Sequence, residues 1–439
     1  MNDTANNNYS DPNITPPMGQ ALPLGLQHVM AMFASNVTPS IIIAGAAGFA
    51  FGGADMTYLV QMAMLFAGIA TLFQTIGMGP IGARLPIMQG TSFAFVTVMV
   101  IVVKQYGMGA LMGALLVSGI FHFALGSVIG RLRFLFPPLV TGLVILTIGL
   151  NLISVGIKYA AGGAADFQMA AESFGSLAHW IPALTVIFVA LGIKFYTKGA
   201  LSAAAILLGL LAGYLVAIPF GLVSFGKVGS ADFAAIPQFL PYGLEFKMGA
   251  IISIALIAVV SAIETVGDTS ATTKGGAGRE ATDAEITGAT YADGLGSAVA
   301  ALFGGLPNTS FSQNAGIVAM TGVMSRHVVT ISAIILVICG FSPKIAAVFS
   351  SMPLPVLGGG VIVMFGMVAA AGLNMLAEVR MNRRNMIIMA VSLSVGLGLS
   401  QVPTAVQYVP GTLKTLLVSG LLPTAFIAII LNQILPSED

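Results

Sequence analysis

The sequence predicts an all-α polytopic membrane protein with fourteen transmembrane spans in two inverted sets of seven. Three observations carry that prediction. Of 439 residues, 57% are hydrophobic and only 8% charged, with a mean hydropathy of +0.96, whereas a soluble domain carries about 25% charged residues. Apolar windows of roughly 20 residues, the length a helix needs to cross about 30 Å of hydrocarbon, recur along most of the chain. They are continuous and do not alternate, which excludes a transmembrane β-barrel. Basic residues, finally, divide unequally between alternate loops.

The chain opens on a polar tail, residues 1–23, with no basic cluster and no apolar core, so it is not a secretory signal peptide and reads as disordered. The first set of spans is expected near 24–46, 56–76, 84–103, 108–128, 134–155, 177–196 and 200–222. The second is expected near 248–269, 287–304, 309–325, 327–350, 353–373, 384–400 and 412–434. Pro, Gly and polar residues interrupt the third, ninth and tenth. With the N-terminus inside, loops after even-numbered spans hold 11 of the 17 Lys and Arg residues, every arginine among them, against 6 elsewhere. The positive-inside rule then puts both termini in the cytoplasm. An odd number of spans per set makes the two sets inverted copies. "LPIMQGTSFAFVTVMV" from Leu85 and "LPNTSFSQNAGIVAMT" from Leu306 echo each other in the third span of each half. Paired, interrupted segments of this kind point to a transporter's substrate site near the midplane.

A net charge of +1 gives no argument for a nucleic-acid partner, and the single Cys339 forms no intrachain disulfide. No metal-ligand cluster, phosphate loop or nucleophile motif stands out, so no cofactor is expected and an enzyme is disfavoured.

The candidate site residues are polar groups in apolar surroundings. Glu264 and Asp268, in "ALIAVVSAIETVGDTSATTK", share one helix face at i and i+4. A carboxylate at membrane depth is costly and lines a cavity or finds a partner. Glu264 sits behind an apolar run with no base in its own span. For Asp268, at the expected helix end, capping or bonding to Ser and Thr hydroxyls competes with a role in the site. Asp293, expected to open the ninth span, is open to N-capping or pairing with a polar neighbour as well as to ion coupling. His28 is either a packed hydrogen-bonding residue or a proton relay. Gln313 and Asn314 offer amide donors and acceptors, and the symmetric segment offers Gln89, Thr91, Ser92 and the aromatic face of Phe93. Carboxylate, amide and aromatic plate together suit a flat heterocycle with N–H and C=O edges.

These residues resemble the nucleobase–ascorbate transporters, the second type of nucleobase–cation symporter, in their bacterial xanthine and urate permease branch. The signature Gln-Asn-x-Gly, four residues and Thr stands here as "QNAGIVAMTG", Gln313 to Gly322. The Gln27–His28 pair, "ExxGD" at Glu264 to Asp268 and "ADG" at Ala292 to Gly294 match as well. The resemblance implies a core domain, 24–130 and 248–352, and a gate domain, 131–247 and 353–439, with short antiparallel strands in spans 3 and 10. It implies purine contacts from Glu264, Gln313, Phe93 and the backbone at Ser312 and Phe93, with Asn314, Asp268 and Asp293 shaping or coupling the site. It further implies a homodimer in the inner membrane. Gln313 stands where uracil-type members carry an acid, which favours xanthine or urate. Ser92 stands where many xanthine-selective members carry Asn, and its smaller side chain argues for accepting urate. The expected activity is purine uptake by symport with protons rather than sodium. The alternatives are a uracil or other nucleobase permease, or an anion transporter of the same inverted plan.

Overall fold

The computed structural model describes residues 10–436 except 164, 165, 168, 224 and 225; residues 1–9 of the polar tail and 437–439 lie outside the described residues. The first half contains α1 (Met18–Ala46), α2 (Ala54–Ile76), β1 (Gln89–Thr91), α3 (Val96–Leu132), α4 (Pro138–Ala160), α5 (Leu177–Tyr196), α6 (Gly199–Ala203), α7 (Ala205–Ala217) and α8 (Gly226–Ser230). The second contains α9 (Met248–Ala277), α10 (Asp283–Leu302), β2 (Asn308–Ser310), α11 (Ser312–Thr321), α12 (Arg326–Gly340), α13 (Pro343–Ser350), α14 (Leu354–Ala377), α15 (Arg383–Gln401), α16 (Gly411–Val418) and α17 (Leu421–Ile434). Apolar runs become helices here because a helix pairs its own backbone groups where no water is at hand. Among the described residues, seven helices are long and apolar enough to cross a membrane, or eight if α12 and α13, bent by 85°, are one span. The protein is a multi-pass membrane protein.

Several elements depart from the expected boundaries. α1 starts at Met18, inside the expected tail, and the residues before it are tied down: the Arg326 amide donates to Pro12 O and the Ser325 hydroxyl to Ile14 O. The third and fourth expected spans run together as α3, broken only at Gly107, whose φ of 85° is open to glycine. The eleventh and fourteenth are each broken, at 341–342 and at 419–420. The ninth starts earlier, at a capping box in which Thr282 Oγ1 accepts from Glu285 N and the Glu285 carboxylate accepts from Thr282 N. Asp293 therefore lies inside α10 and caps nothing.

The packing repeats between halves. α3 lies along α10 and α2 along α12; α1 packs on α12 as α3 packs on α9. α4 lies along α14, α5 against α7, and α15 against α17. Small residues let these backbones approach. A Cβ on Gly149 would lie 2.5 Å from Ala369 N, one on Gly372 2.4 Å from Leu146 N, and one on Gly358 2.1 Å from Ala160 N.

β1 and β2 pair antiparallel, Gln89 opposite Ser310, Gly90 opposite Thr309 and Thr91 opposite Asn308. The strand midpoints are two residues closer in sequence than Leu85 and Leu306, so the echo between the segments is shifted from the alignment those leucines suggest. Strands this short need help from neighbours. Asn36 Oδ1 on α1 accepts from Thr91 N, Thr71 Oγ1 on α2 accepts from Gln89 N, and Ser297 Oγ on α10 accepts from Asn308 N. Side chains thus complete the pairing that irregular backbone requires at membrane depth.

Candidate functional site

Beside the two strands lies a cavity of about 140 Å³. One wall comes from Glu264 on α9, Thr309 and Ser310 on β2, Phe311, and Ser312 and Gln313 at the start of α11; Phe93, just after β1, joins them. The opposite wall is apolar: Ile145 and Ile148 of α4, and Met367, Val368 and Ala371 of α14. The Phe93 ring lies edge-on to Phe365, with centroids 4.9 Å apart, and roughly parallel to Phe311 at 6.5 Å. Phe311 is the N-cap of α11 and provides no side-chain cap, so the first amides of that helix have no capping side chain.

The three acids sit in different surroundings. Glu264 Oε2 is buried and, among the described residues, has no hydrogen-bond partner. Asp268, one turn on, is satisfied: the Ser310 hydroxyl donates to Oδ2 at 2.8 Å and the Ser312 hydroxyl to Oδ1 at 2.6 Å. Its carboxylate therefore braces the β2–α11 junction, the hydroxyl-bonding alternative left open by the sequence. Asp293 is fully buried and accepts from Gln74 Nε2 at 3.1 Å, and through short hydrogen bonds from Gln89 Nε2 and Thr265 Oγ1. It clamps α2, β1 and α9 onto α10.

Of the other expected residues, Ser312, Gln313 and Phe93 reach the cavity wall with Glu264; Asn314, His28 and Ser92 do not. Asn314 Nδ2 donates to His28 Nδ1 and to His28 O, both at 3.0 Å, tying α11 to α1. With Nδ1 accepting, the ring proton is on Nε2. Ser92 is fully buried, its hydroxyl without a partner among the described residues, and it does not line the cavity. The argument from its size for urate is thus not carried by direct contact. Sequence reasoning missed Gln74 and Thr265, the partners of Asp293, and all the apolar wall. A lone Gln in "IATLFQTIG" was a usable signal; Ile145 or Ala371 carries none.

A sequence model described as the Permease family matches residues 19–405. The chain belongs to that family. The resemblance to nucleobase–ascorbate transporters is thereby borne out, and the protein is a permease rather than an enzyme. The uric acid permease PucJ of Bacillus subtilis (strain 168) is 34% identical over 418 residues, covering 95% of the present chain and 92% of PucJ. The xanthine permease XanP of Escherichia coli (strain K12) is 33% identical over 442 residues, covering 96% and 93%. Among solved structures, the transmembrane domain of a cyanobacterial bicarbonate transporter, BicA, superposes with a TM-score of 0.62 at 16% identity, covering 95% of the permease and 98% of that chain. The structure of SLC26A9 follows at 0.59 and 13%, covering 86% and 63%. Identities this low speak for the fold alone.

Proposed function

We propose that the permease is a secondary active transporter that takes up a purine base, xanthine or urate, by proton symport with alternating access. The observation that carries this reading is an acid with an unpartnered oxygen, Glu264, on the wall of one cavity with the Gln313 amide and the Phe93 ring. A carboxylate only accepts, so it complements ring N–H groups; an amide both donates and accepts and suits the opposite edge; an aromatic face stacks on a flat base. The relatives' names favour purines. Among the described residues no Lys or Arg lines this cavity, which disfavours the anion-transporter alternative despite the fold likeness.

The fourteen-span, inverted-repeat organisation is the frame for this activity. Exchanging each span for its counterpart seven positions on turns the α3–α10 contact into the α12–α2 contact and the α1–β1 contact into the α9–β2 contact, as two related halves require. The core domain, 24–130 and 248–352, carries both strands, and the gate domain, 131–247 and 353–439, supplies the apolar wall. A cavity of about 600 Å³ shares Ile145, Ser312 and Ala371 with the site and reaches Lys274, Glu280 and Glu378. A third, of about 560 Å³ beside Lys104 and Lys158, shares no lining residue with the site. One-sided access of this kind is what alternating access needs; the arginine distribution favours a cytoplasmic open side with both termini there, and the family resemblance favours a homodimer in the inner membrane. Proton and purine favour one another if both bind the same form of the site; Glu264 is the group in contact, with Asp268, Asp293 and His28 supporting it.

The test is uptake of radiolabelled xanthine and urate into cells, with and without a protonophore and in sodium-free medium. Uptake abolished by the protonophore and indifferent to sodium is expected. Uptake that survives collapse of the proton gradient overturns the symport.

A further inference from the structure

A second polar cavity lies away from the purine site, at one end of the helices. It has a volume of about 400 Å³ and is lined by Arg84, Arg279, Arg326 and Glu285, with Pro12 and Asn13 of the N-terminal segment among its remaining walls. We infer that this pocket binds a phosphate-class oxyanion, carried by an anionic phospholipid headgroup or free in solution.

The charge balance is the first argument. Three guanidinium groups face one carboxylate, and that carboxylate is already engaged. Glu285 accepts from Arg279 Nη1 at 2.9 Å and Nη2 at 2.5 Å, and from Thr282 N at 2.8 Å. Arg326 is held in place by neutral acceptors, Asn13 Oδ1 at 3.0 Å and Thr75 O at 2.8 Å, which orient its charge without neutralising it among the described residues. Among the described residues the Arg84 side chain makes one long hydrogen bond, from Nη2 to Gly79 O at 3.5 Å. Guanidinium forks match the tetrahedral oxygens of phosphate better than any other side chain does.

The backbone is the second argument. Arg84 adopts a φ of 56°, a region that residues with a Cβ seldom enter, held by its amide donating to Gln74 O at 2.8 Å. Its side chain passes over Gly77, where a Cβ would lie 2.7 Å from Arg84 Nε. Two local constraints thus aim this guanidinium, as is common where strain serves a site. Position is the third. The walls come from the end of α2, the starts of α10 and α12 and the approach to α1, so the pocket lies at headgroup depth, where basic pockets meet anionic lipid.

The experiment measures the melting temperature of the full chain, purified in neutral detergent with phosphatidylcholine, on addition of inorganic phosphate or of phosphatidylglycerol. A ligand that saturates the folded state raises it by roughly 2–5 °C. A rise with phosphate assigns a free anion; a rise with phosphatidylglycerol alone assigns a lipid headgroup. Arg84→Gln, at an exposed residue with one long bond, is expected to keep the resting melting temperature and lose most of the rise; Arg84→Glu is expected to lose all of it. The inference is overturned if neither probe moves the wild type, or if both variants keep the full rise.

Discussion

Replacing Glu264 by Gln separates a binding residue from a structural one. Glu264 Oε2 has no hydrogen-bond partner among the described residues, so the substitution removes no bond that this oxygen makes to them. Its melting temperature should match the wild type or exceed it. Purine binding should suffer. A hydrogen bond to a charged group contributes about 1.5–3 kcal/mol, so losing one weakens binding roughly 10–150-fold. If the new NH2 faces a ring N–H, two donors confront each other, and an unsatisfied buried group costs about 1–3 kcal/mol more. The assay is equilibrium binding of radiolabelled xanthine to the purified variant, with its melting curve recorded alongside. A folded Glu264→Gln protein that binds xanthine within about threefold of the wild type would refute the assignment, and a variant that fails to fold would contradict the claim that this oxygen is free.

Asp293→Ala should behave in the opposite way: it takes from Gln89 Nε2 its acceptor and leaves Gln74 Nε2 and Thr265 Oγ1 only their backbone acceptors, Ala289 O and Ser261 O, at about 1–3 kcal/mol in all, and should appear as a lowered melting temperature and less folded protein in the membrane. Gly358→Ala sets a methyl against Ala160 N and should cost about 1–3 kcal/mol, whereas Gly366→Ala on the same helix meets nothing within 4 Å and should be neutral or slightly stabilising; thermal melts of the pair check this. Phe93→Ala should weaken xanthine binding by about 1–2 kcal/mol through lost stacking, read as a higher Kd in the same binding assay with Gln313 untouched.

The proposed substrate contacts were the most legible part of the site. Glu264 and Gln313 stand out because a carboxylate or an amide in an apolar run is costly unless something uses it, and that cost is written in one residue and its neighbours. Asp268 and Asp293 carry the same signal and have different roles. Their sequence neighbourhoods do not reveal that Ser310 and Ser312 satisfy one and Gln74, Gln89 and Thr265 the other. Those partners arrive from elements far apart in the chain.

By itself the sequence determined the membrane class, the positions of most helices and two polar residues, Glu264 and Gln313, that line the cavity. Lipid makes these local matters: a long apolar run must pair its backbone within itself, whatever lies beside it. Tertiary structure decided the rest. The register of β1 on β2, the clamp on Asp293, the break at Gly107, the bend between α12 and α13, and the apolar wall from α4 and α14 depend on which faces meet. Meeting is set by where glycines such as Gly149 and Gly372 let backbones approach, a property of two helices together that neither run of letters contains alone.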